Sequence, residues 1–249
     1  MLILLPPSET KRPGGRAVAM HLASLKLASL NPQRHTVIDA LVALSGDPDT
    51  AARVLKLSER QRGEVDDNAR LRTAPTLPAV DRYTGVLFDA LDARSLPAAA
   101  RRWLGAHVLI HSAPLGPVGA LDAIPSYRLA AGTALPGIPS LRKVWAEAVS
   151  AAVTDLAPSF VLDLRSEAYT ALGPVAPAVA STYVRVVTQG ADGTTRALNH
   201  FNKHAKGDLV RRLAVERPRI ASRSGFCRWA ERAGLTVHDA ADGELALVV

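Results

Sequence analysis

The amino-acid sequence predicts an α/β (α+β) fold in which a mixed β-sheet is flanked by helices. Three observations predict it. Short apolar runs of buried-strand character lie at 1–5, 106–111 and 160–164. Segments with the apolar spacing of amphipathic helices separate those runs. Hydrophobic residues make up 48% of the 249 residues, which is ample for a core in one large domain or two small ones.

The composition favours an anionic partner. Thirty Lys and Arg residues against twenty-three Asp and Glu residues give a net charge of +7, which suits nucleic acid, a nucleotide or phosphate. The excess is mostly arginine, which high-GC codon usage also enriches. The single cysteine, Cys227, excludes an internal disulfide framework and a Cys-rich metal site, so we expect a cytoplasmic protein.

The N-terminal run at 1–5 predicts a short buried strand. Pro6 and Pro7 end this run well before the length of a signal-peptide core, and no apolar stretch approaches the length of a membrane span. The turn that follows brings the side chains of Ser8 to Lys11 to the end of the strand. Strand ends in such sheets are common ligand sites, so these side chains are candidate site residues.

Residues 16–30 and 36–57 have helical periodicity, with a break at 45–50. Two short helices joined by a turn suit either a helix-hairpin-helix, which grips a DNA backbone, or a plain helical hairpin. The residues favour the plain hairpin, because the turn carries Asp47 and Asp49 and lacks a tandem glycine pattern.

The middle of the chain alternates predicted strands and helices. Apolar runs at 83–91 and 106–111 have buried-strand character, and the Pro- and Gly-rich stretch at 112–120 predicts a long loop. An amphipathic helix at 139–156 and a strand at 160–164 follow.

Two polar clusters lie beside these elements. Asp122, Tyr127 and Arg128 suit the binding of a phosphate or ribose, although Asp122 suits a structural salt bridge to Arg128 equally well. Polar side chains also crowd the exit of the 160–164 strand, namely Arg165, Ser166, Glu167 and Tyr169. They are candidate site residues, with a helix cap as the alternative role of Ser166.

A predicted hairpin, 183–188 and 194–198 around a Gly-Ala-Asp-Gly turn, leads into a helix at 199–213, and 244–249 predicts a last strand. At 100° per residue, apolar side chains share one face of that helix: Phe201, Ala205, Leu209 and Leu213. Cationic side chains spread over the other face: His200, Lys203, His204, Lys206 and Arg211. Gly207 lies within the basic arc, where it would admit a phosphate or a neighbouring backbone. A plain amphipathic helix with a solvated basic face is the alternative.

The histidine pair of this helix does not predict a metal site. His200 and His204 have the spacing of zinc ligands, but Phe201 stands where such helices carry Glu. Lys203 and Arg211 would also repel a cation. We therefore expect no metal and no cofactor.

Several stretches together resemble the YaaA peroxide-stress family. They are LPPSETK at 5–11, YTG at 83–85, LDAIPSYRL at 121–129, SEAY at 166–169, KHAKG at 203–207 and GF at 225–226, in the family's order and spacing. The resemblance implies a single domain over 1–249 with unusual topology, a positively charged cleft and a helix-hairpin-helix element near 36–58. It also implies a cytoplasmic, DNA-binding protein linked to limiting intracellular iron and oxidative DNA damage during peroxide stress.

Carried over residue by residue, the resemblance points to the polar clusters already noted: Ser8, Lys11, Asp122, Tyr127, Arg128, Ser166, Glu167, Tyr169, Lys203, Lys206 and Gly207. The chain departs from the family's Gly-Leu-Tyr-Gly and Arg-Pro segments, where it has Ala113, Pro114, Leu115, Gly116, Gly119 and Ala120. The missing tyrosine and arginine are also consistent with a specialised paralogue.

Two classes of function follow. The first is a DNA-binding peroxide-stress protein that neutralises duplex or structured DNA with a basic cleft, through Lys11, Arg128, Lys203, Lys206, Gly207 and Arg211. The second is an enzyme acting on a nucleotide or another phosphorylated small molecule, with Ser8, Lys11, Glu167 and Tyr169 as catalytic candidates and Asp122, Tyr127 and Ser166 beside them. Ser8 and Lys11 match a Ser-x-x-Lys nucleophile pattern, but its partner motifs are absent.

Overall fold

The apolar run at the N-terminus forms strand β1, Leu2–Leu5, in which all four side chains are buried. The computed structural model describes residues 1–16, 18–189, 195–196, 199–240 and 243–249. In it, β1 lies between two parallel partner strands. For 188–189, 195–196 and 199–201 only the backbone is described. Strands covered on both faces read as continuous apolar runs, which is why the sequence signal of β1 is strong.

The strands alternate with helices along the chain. After β1 the strands are β2 (Leu77–Pro78), β3 (Val108–Ser112), β4 (Gly116–Gly119), β5 (Ala123–Ile124), β6 (Val161–Asp163), β7 (Ser181–Gln189), β8 (Thr195–Arg196), β9 (Thr236–Asp239) and β10 (Leu245–Val248). The α-helices are α1 (Asn31–Leu44), α2 (Pro48–Val54), α3 (Glu64–Ala69), α4 (Ala79–Arg82), α5 (Val86–Leu91), α6 (Ala98–His107), α7 (Leu141–Asp155), α8 (Glu167–Ala171), α9 (Asn199–Glu216) and α10 (Arg223–Arg232).

The main sheet has the strand order β4-β3-β1-β6-β7-β10-β9, with β8 paired to β7. Its centre is parallel, through the pairs β3–β1, β1–β6, β6–β7 and β7–β10. The pairs β3–β4, β9–β10 and β7–β8 are antiparallel, so the sheet is mixed as predicted. The strands β2 and β5 form a separate antiparallel pair.

Most of the predicted elements are confirmed. The strands at 1–5, 106–111, 160–164 and 244–249 correspond to β1, β3, β6 and β10, and the helices at 139–156 and 199–213 correspond to α7 and α9. β7 and β8 form the predicted hairpin, whose Gly-Ala-Asp-Gly turn lies outside the described residues. The helical hairpin is α1 and α2, and the Asp47 carboxylate accepts a hydrogen bond from the Thr50 amide at the start of α2, at 3.1 Å. The helix-hairpin-helix stays a prediction.

The helix predicted at 16–30 is wrong. In the described part of this segment, residues 16 and 18–30, the only helical elements are short 3₁₀ turns at Leu22–Ser24 and Ala28–Leu30. Arg16 instead exchanges backbone hydrogen bonds with Thr76, at 3.0 and 3.1 Å, and the Thr76 hydroxyl donates to the Val18 carbonyl. These long-range bonds hold Arg16 and Val18 against Thr76.

Two predictions in the middle of the chain are also wrong. The apolar run at 83–91 forms helix α5 instead of a strand, because Leu87, Phe88 and Leu91 pack inward at helical spacing. The predicted loop at 112–120 contains strand β4, and every residue of it is buried.

Buried side chains hold that 112–120 segment in place. The Arg34 guanidinium donates to the carbonyl oxygens of Leu115 and Pro117, and the Trp145 indole donates to the carbonyl of Ala113. Gly116 has a left-handed φ of 63°, and a Cβ there would lie 2.8 Å from the Trp145 ring. This packed hairpin occupies the place where the chain departs from the family's tyrosine and arginine.

No helix in the described ranges is both long enough and apolar enough to cross a membrane.

Candidate functional site

The parallel strands β3, β1 and β6 end at the same edge of the sheet. The segments that follow them carry Ser112, the Ser8–Lys11 turn, and Arg165 with Ser166. Side chains from α8, from α9 and from neighbouring loops lie over this edge. We call the side chains gathered there the strand-end site: Ser8, Glu9, Thr10, Lys11, Tyr83, His111, Ser112, Tyr127, Arg128, Asp163, Arg165, Tyr169, Tyr183 and Lys206.

Lys11 is the centre of one half of this site. Its Nζ donates to the carbonyl oxygens of Ser8 and Glu9, at 3.1 and 3.2 Å. The same nitrogen lies 4.1 Å from the ring centroid of Tyr127 and 5.6 Å from that of Tyr83. The pKa of Lys11 is lowered to about 7, chiefly by burial and secondly by the charge of Arg128.

Tyr83 and Tyr127 form the floor beneath Lys11. Both are buried, and their hydroxyl oxygens are 2.7 Å apart. Burial raises the pKa of each phenol, so both remain protonated and one donates to the other. The Ser112 hydroxyl lies beside both phenols. The floor is therefore neutral and aromatic.

Arg128 lies at the edge of this half, held in place by its backbone. Its amide donates to the Asn68 side chain at 2.7 Å, and the Asn68 amide group donates back to the Arg128 carbonyl at 2.9 Å. The guanidinium pairs with the carboxylates of Glu9, at 3.2 Å, and Glu64, at 3.5 Å. Two carboxylates thus share one arginine next to Lys11.

Arg165 and Asp163 form the second half of the site. Both are buried, and the guanidinium contacts both carboxylate oxygens, at 2.9 and 2.6 Å. Arg165 also donates to His111 Nδ1 at 3.0 Å and to the Gly173 carbonyl at 2.8 Å. Burial and the charge of Arg165 hold the pKa of His111 well below its usual value, so the ring is neutral. With Nδ1 accepting from Arg165, we assign the ring proton to Nε2, which has no hydrogen-bond partner in the described part of the chain.

Lys206 comes from α9 and is only 4% exposed. Its Nζ contacts the Arg165 carbonyl at 3.5 Å and lies 5.3 Å from the Tyr183 ring. Burial lowers the pKa of Lys206 to about 8. The alternative of a solvated basic face is wrong for this residue, because Lys206 is buried where α9 packs against α5 and β7.

Tyr169 of α8 connects the two halves. Its ring lies 5.8 Å from that of His111, and the nearby Tyr127 contributes, after burial, to the raised pKa of its phenol. The chain has four tyrosines, and all four lie in the strand-end site. This convergence is a signal that the sequence carries and that a residue-by-residue reading overlooked.

The remaining catalytic candidates lie at the rim. The Ser8 hydroxyl lies 3.2 Å from that of Thr10, whereas the Lys11 amine contacts the Ser8 carbonyl instead of its hydroxyl. Exposed Glu167 pairs with Arg185 at 3.0 Å. Ser166 is the N-cap residue of α8, but its hydroxyl makes no capping hydrogen bond.

Two predicted residues are engaged elsewhere, and a third is exposed. The Asp122 carboxylate accepts from the amides of Lys26 and Gly119, both at 2.8 Å, so the salt bridge to Arg128 that the sequence left open does not form. Arg211 donates to the carbonyl oxygens of Leu91 and Asp92, at 2.9 and 3.0 Å, where α5 ends. Lys203 is exposed on α9.

Gly207 is explained by helix packing. A Cβ at this position would lie 2.1 Å from the carbonyl oxygen of Leu87 and 2.8 Å from Cβ of Ala90. Of the two roles that the sequence left open, close approach of a neighbouring backbone is the one that the structure supports.

A cavity of about 510 Å³ lies beside α8 and adjoins the strand-end site, since Asp163 and Tyr183 of that site are among its lining residues. Glu167, Thr170 and Ala171 of that helix face it, while Tyr169 faces His111. Charged and aromatic side chains also line it, including Arg142, Asp163, Tyr183, Arg185 and Glu244. In the parts of the chain whose side chains are described, no group of three or more His, Cys, Asp or Glu residues is close enough to hold a metal ion.

Comparisons with known proteins identify a family that has the motifs of this chain. The family model described as peroxide stress protein YaaA matches residues 1–232. A UPF0246 protein of Corynebacterium efficiens is 46% identical over 243 residues, covering 95% of this chain and 94% of that protein. A UPF0246 protein of Streptomyces coelicolor is 43% identical over 215 residues, covering 86% of this chain and 82% of that protein.

Proposed function

The chain belongs to the peroxide stress protein YaaA family, and on that premise we propose that it serves the oxidative-stress response by acting on a small phosphorylated ligand, such as a nucleotide, at the strand-end site. This is the enzyme-class alternative raised by the sequence. The observation that carries it is the burial of the cations: Lys206 is 4% exposed, the Arg128 side chain is 14% exposed, and Lys11 is half-buried over two aromatic rings.

Burial separates the two classes of anionic partner. A DNA duplex is neutralised by lysine and arginine side chains that reach outward along a surface. Cations held beneath a rim reach only a ligand that enters between them. Lys11 and Lys206 are shielded cations, not outward-reaching ones.

The chemistry of the site also exceeds what charge neutralisation requires. A lysine whose pKa is about 7 is present as both amine and ammonium at neutral pH, so it can take or give a proton. Two protonated phenols with raised pKa values lie directly beneath it and can only donate or accept hydrogen bonds. Such a combination suits proton transfer beside a bound anion.

Duplex or structured DNA is the second candidate. It is favoured by the net charge of +7 and by Lys203, which is exposed on α9 and free to meet a backbone phosphate. Binding of this kind weakens steeply as salt rises, because it releases counterions from the DNA.

One pair of variants tests both candidates. Thermal shift is measured with a panel of nucleotides and phosphorylated metabolites for the wild type, Lys11→Met and Lys203→Ala. We expect a ligand of this panel to raise the melting temperature of the wild type and of Lys203→Ala, but not that of Lys11→Met. A mobility-shift titration with duplex DNA at low and moderate salt runs in parallel. If no small ligand stabilises the protein while Lys203→Ala weakens duplex binding and flattens its salt dependence, DNA is the partner and the small-ligand proposal is wrong.

A further inference from the structure

Lys11 is a half-buried lysine without a carboxylate of its own. Within the described residues no carboxylate oxygen lies within 4.0 Å of its Nζ, and the thirteen ion pairs that form there are all made by arginines. The nearest candidates, Glu9 and Glu64, are both paired with Arg128. Lys11 therefore has a cationic neighbour and aromatic walls, the two surroundings that activate lysine amines as nucleophiles.

The hydrogen bonds of Lys11 account for two of the directions around its Nζ. A neutral amine has two N–H bonds, and the carbonyl oxygens of Ser8 and Glu9 accept two hydrogen bonds from Nζ. The lone pair then takes the remaining tetrahedral position, away from both carbonyls. Held in this way, the amine is oriented before a ligand arrives, which reduces the entropy lost on reaction.

Two other lysines differ from Lys11 in burial and serve as internal controls. Lys206 is almost fully buried. Lys56 is exposed to solvent. Lys11 alone among these three is both shielded and partly accessible.

We propose that Lys11 is a nucleophilic amine that forms an imine with the aldehyde or ketone group of a phosphorylated ligand. This deepens the proposed function and rests on it. The Nζ lone pair forms a bond to the carbonyl carbon, and both amine protons pass to the carbonyl oxygen, which departs as one molecule of water. The product is a C=N linkage to Lys11, with no change of oxidation state and no further reactant. The lowered pKa of Lys11, about 7, supplies the free amine at neutral pH.

The test uses three small probes on the full chain. Pyridoxal 5′-phosphate carries both an aldehyde and a phosphate, pyridoxal lacks the phosphate, and pyridoxamine 5′-phosphate lacks the carbonyl. The wild type, Lys11→Arg and the exposed control Lys56→Arg are incubated at pH 7.5 with one equivalent of each aldehyde, reduced with borohydride and mapped by peptide mass spectrometry. Thermal shift with pyridoxamine 5′-phosphate measures binding without reaction.

We expect pyridoxal 5′-phosphate to label Lys11 at least about tenfold more than Lys56, because a lysine with an ordinary pKa is almost wholly protonated at this pH. Labelling at Lys11 is expected to remain in Lys56→Arg, and Lys11→Arg is expected to lose the imine absorbance. Labelling spread over exposed lysines, or confined to Lys206, would overturn the inference.

The outcomes also separate this inference from the proposed function. Stabilisation by pyridoxamine 5′-phosphate without labelling of Lys11 supports an anion site and rejects the nucleophile. Equal labelling of Lys11 by pyridoxal and by its phosphate, without stabilisation by pyridoxamine 5′-phosphate, supports the nucleophile and rejects the phosphorylated class of ligand.

Discussion

Gly207→Ala distinguishes a packing role of this glycine from a phosphate-binding role. The new Cβ would lie 2.1 Å from the Leu87 carbonyl oxygen, so α9 and α5 must separate by about 1 Å to reach an ordinary van der Waals contact. Overpacking of this kind costs about 1–3 kcal/mol, and the contact with a backbone atom places it near the upper end. Alanine recovers about 1 kcal/mol of helix propensity. We expect a net loss of about 2 kcal/mol.

The assay is urea denaturation of the apo protein, followed by circular dichroism. The matched control is Gly63→Ala, since a Cβ at Gly63 meets nothing within 4 Å and its φ is not left-handed. A loss of about 2 kcal/mol corresponds to a melting temperature lower by about 4–8 °C in a protein of this size. If Gly207→Ala is as stable as the wild type, or more stable through helix propensity, the packing explanation is wrong and close approach of a ligand is the better one.

Three further predictions concern charge. For Lys11, the folded-state pKa of about 7 lies below the ordinary 10.5, so the unfolded chain binds more protons between these two pH values. The unfolding free energy of the wild type minus that of Lys11→Met should therefore rise with pH in that window, by at most about 1.4 kcal/mol per pH unit. A difference that does not change with pH refutes the lowered pKa. Asp163→Asn should lower the free energy of unfolding in urea by about 3–5 kcal/mol, because it leaves the buried Arg165 unpaired. Asp49→Asn, which breaks an exposed ion pair, should lower it by less than about 1 kcal/mol. Similar losses in the two variants would refute the argument from burial. Asp47→Ala should lower the midpoint of urea denaturation through the lost cap on the Thr50 amide, and an unchanged midpoint contradicts a contribution of that cap.

The sequence predicts those parts of the fold whose signal is local. The strand at 2–5 and the helix at 141–155 are apolar over the whole run or along one face, and burial follows directly from that pattern. The segment at 16–30 has helical periodicity too, but its conformation is decided by Thr76, which is far away in sequence. No local pattern contains that partner.

The candidate site was predicted in part for the same reason. The Ser8–Lys11 turn and the Arg165–Tyr169 segment were predicted as site residues because they follow predicted strands. Parallel neighbouring strands end at one edge of a sheet, so these segments lie together. The sequence did not predict how deeply Lys206 is buried. Val210 and Ala214 extend the apolar stripe of α9 onto the side that α5 covers. A basic side chain within such a face is buried only if another element packs over it, and that depends on the assembled fold.

The position of β1 in the middle of the sheet has a consequence for biosynthesis. Ile3 pairs with Val108 on one side and with Leu162 on the other, so the strand is made long before either partner. During translation this apolar segment stays unpaired until β3 has been made, when 112 of the 249 residues are complete, and its second neighbour β6 is complete only at residue 163. Loop closure over such separations is slow, and the unpaired edge is prone to aggregation while it lasts. The strand-end site takes side chains from Ser8 to Lys206, so a nascent chain cannot complete this candidate site until late in its synthesis.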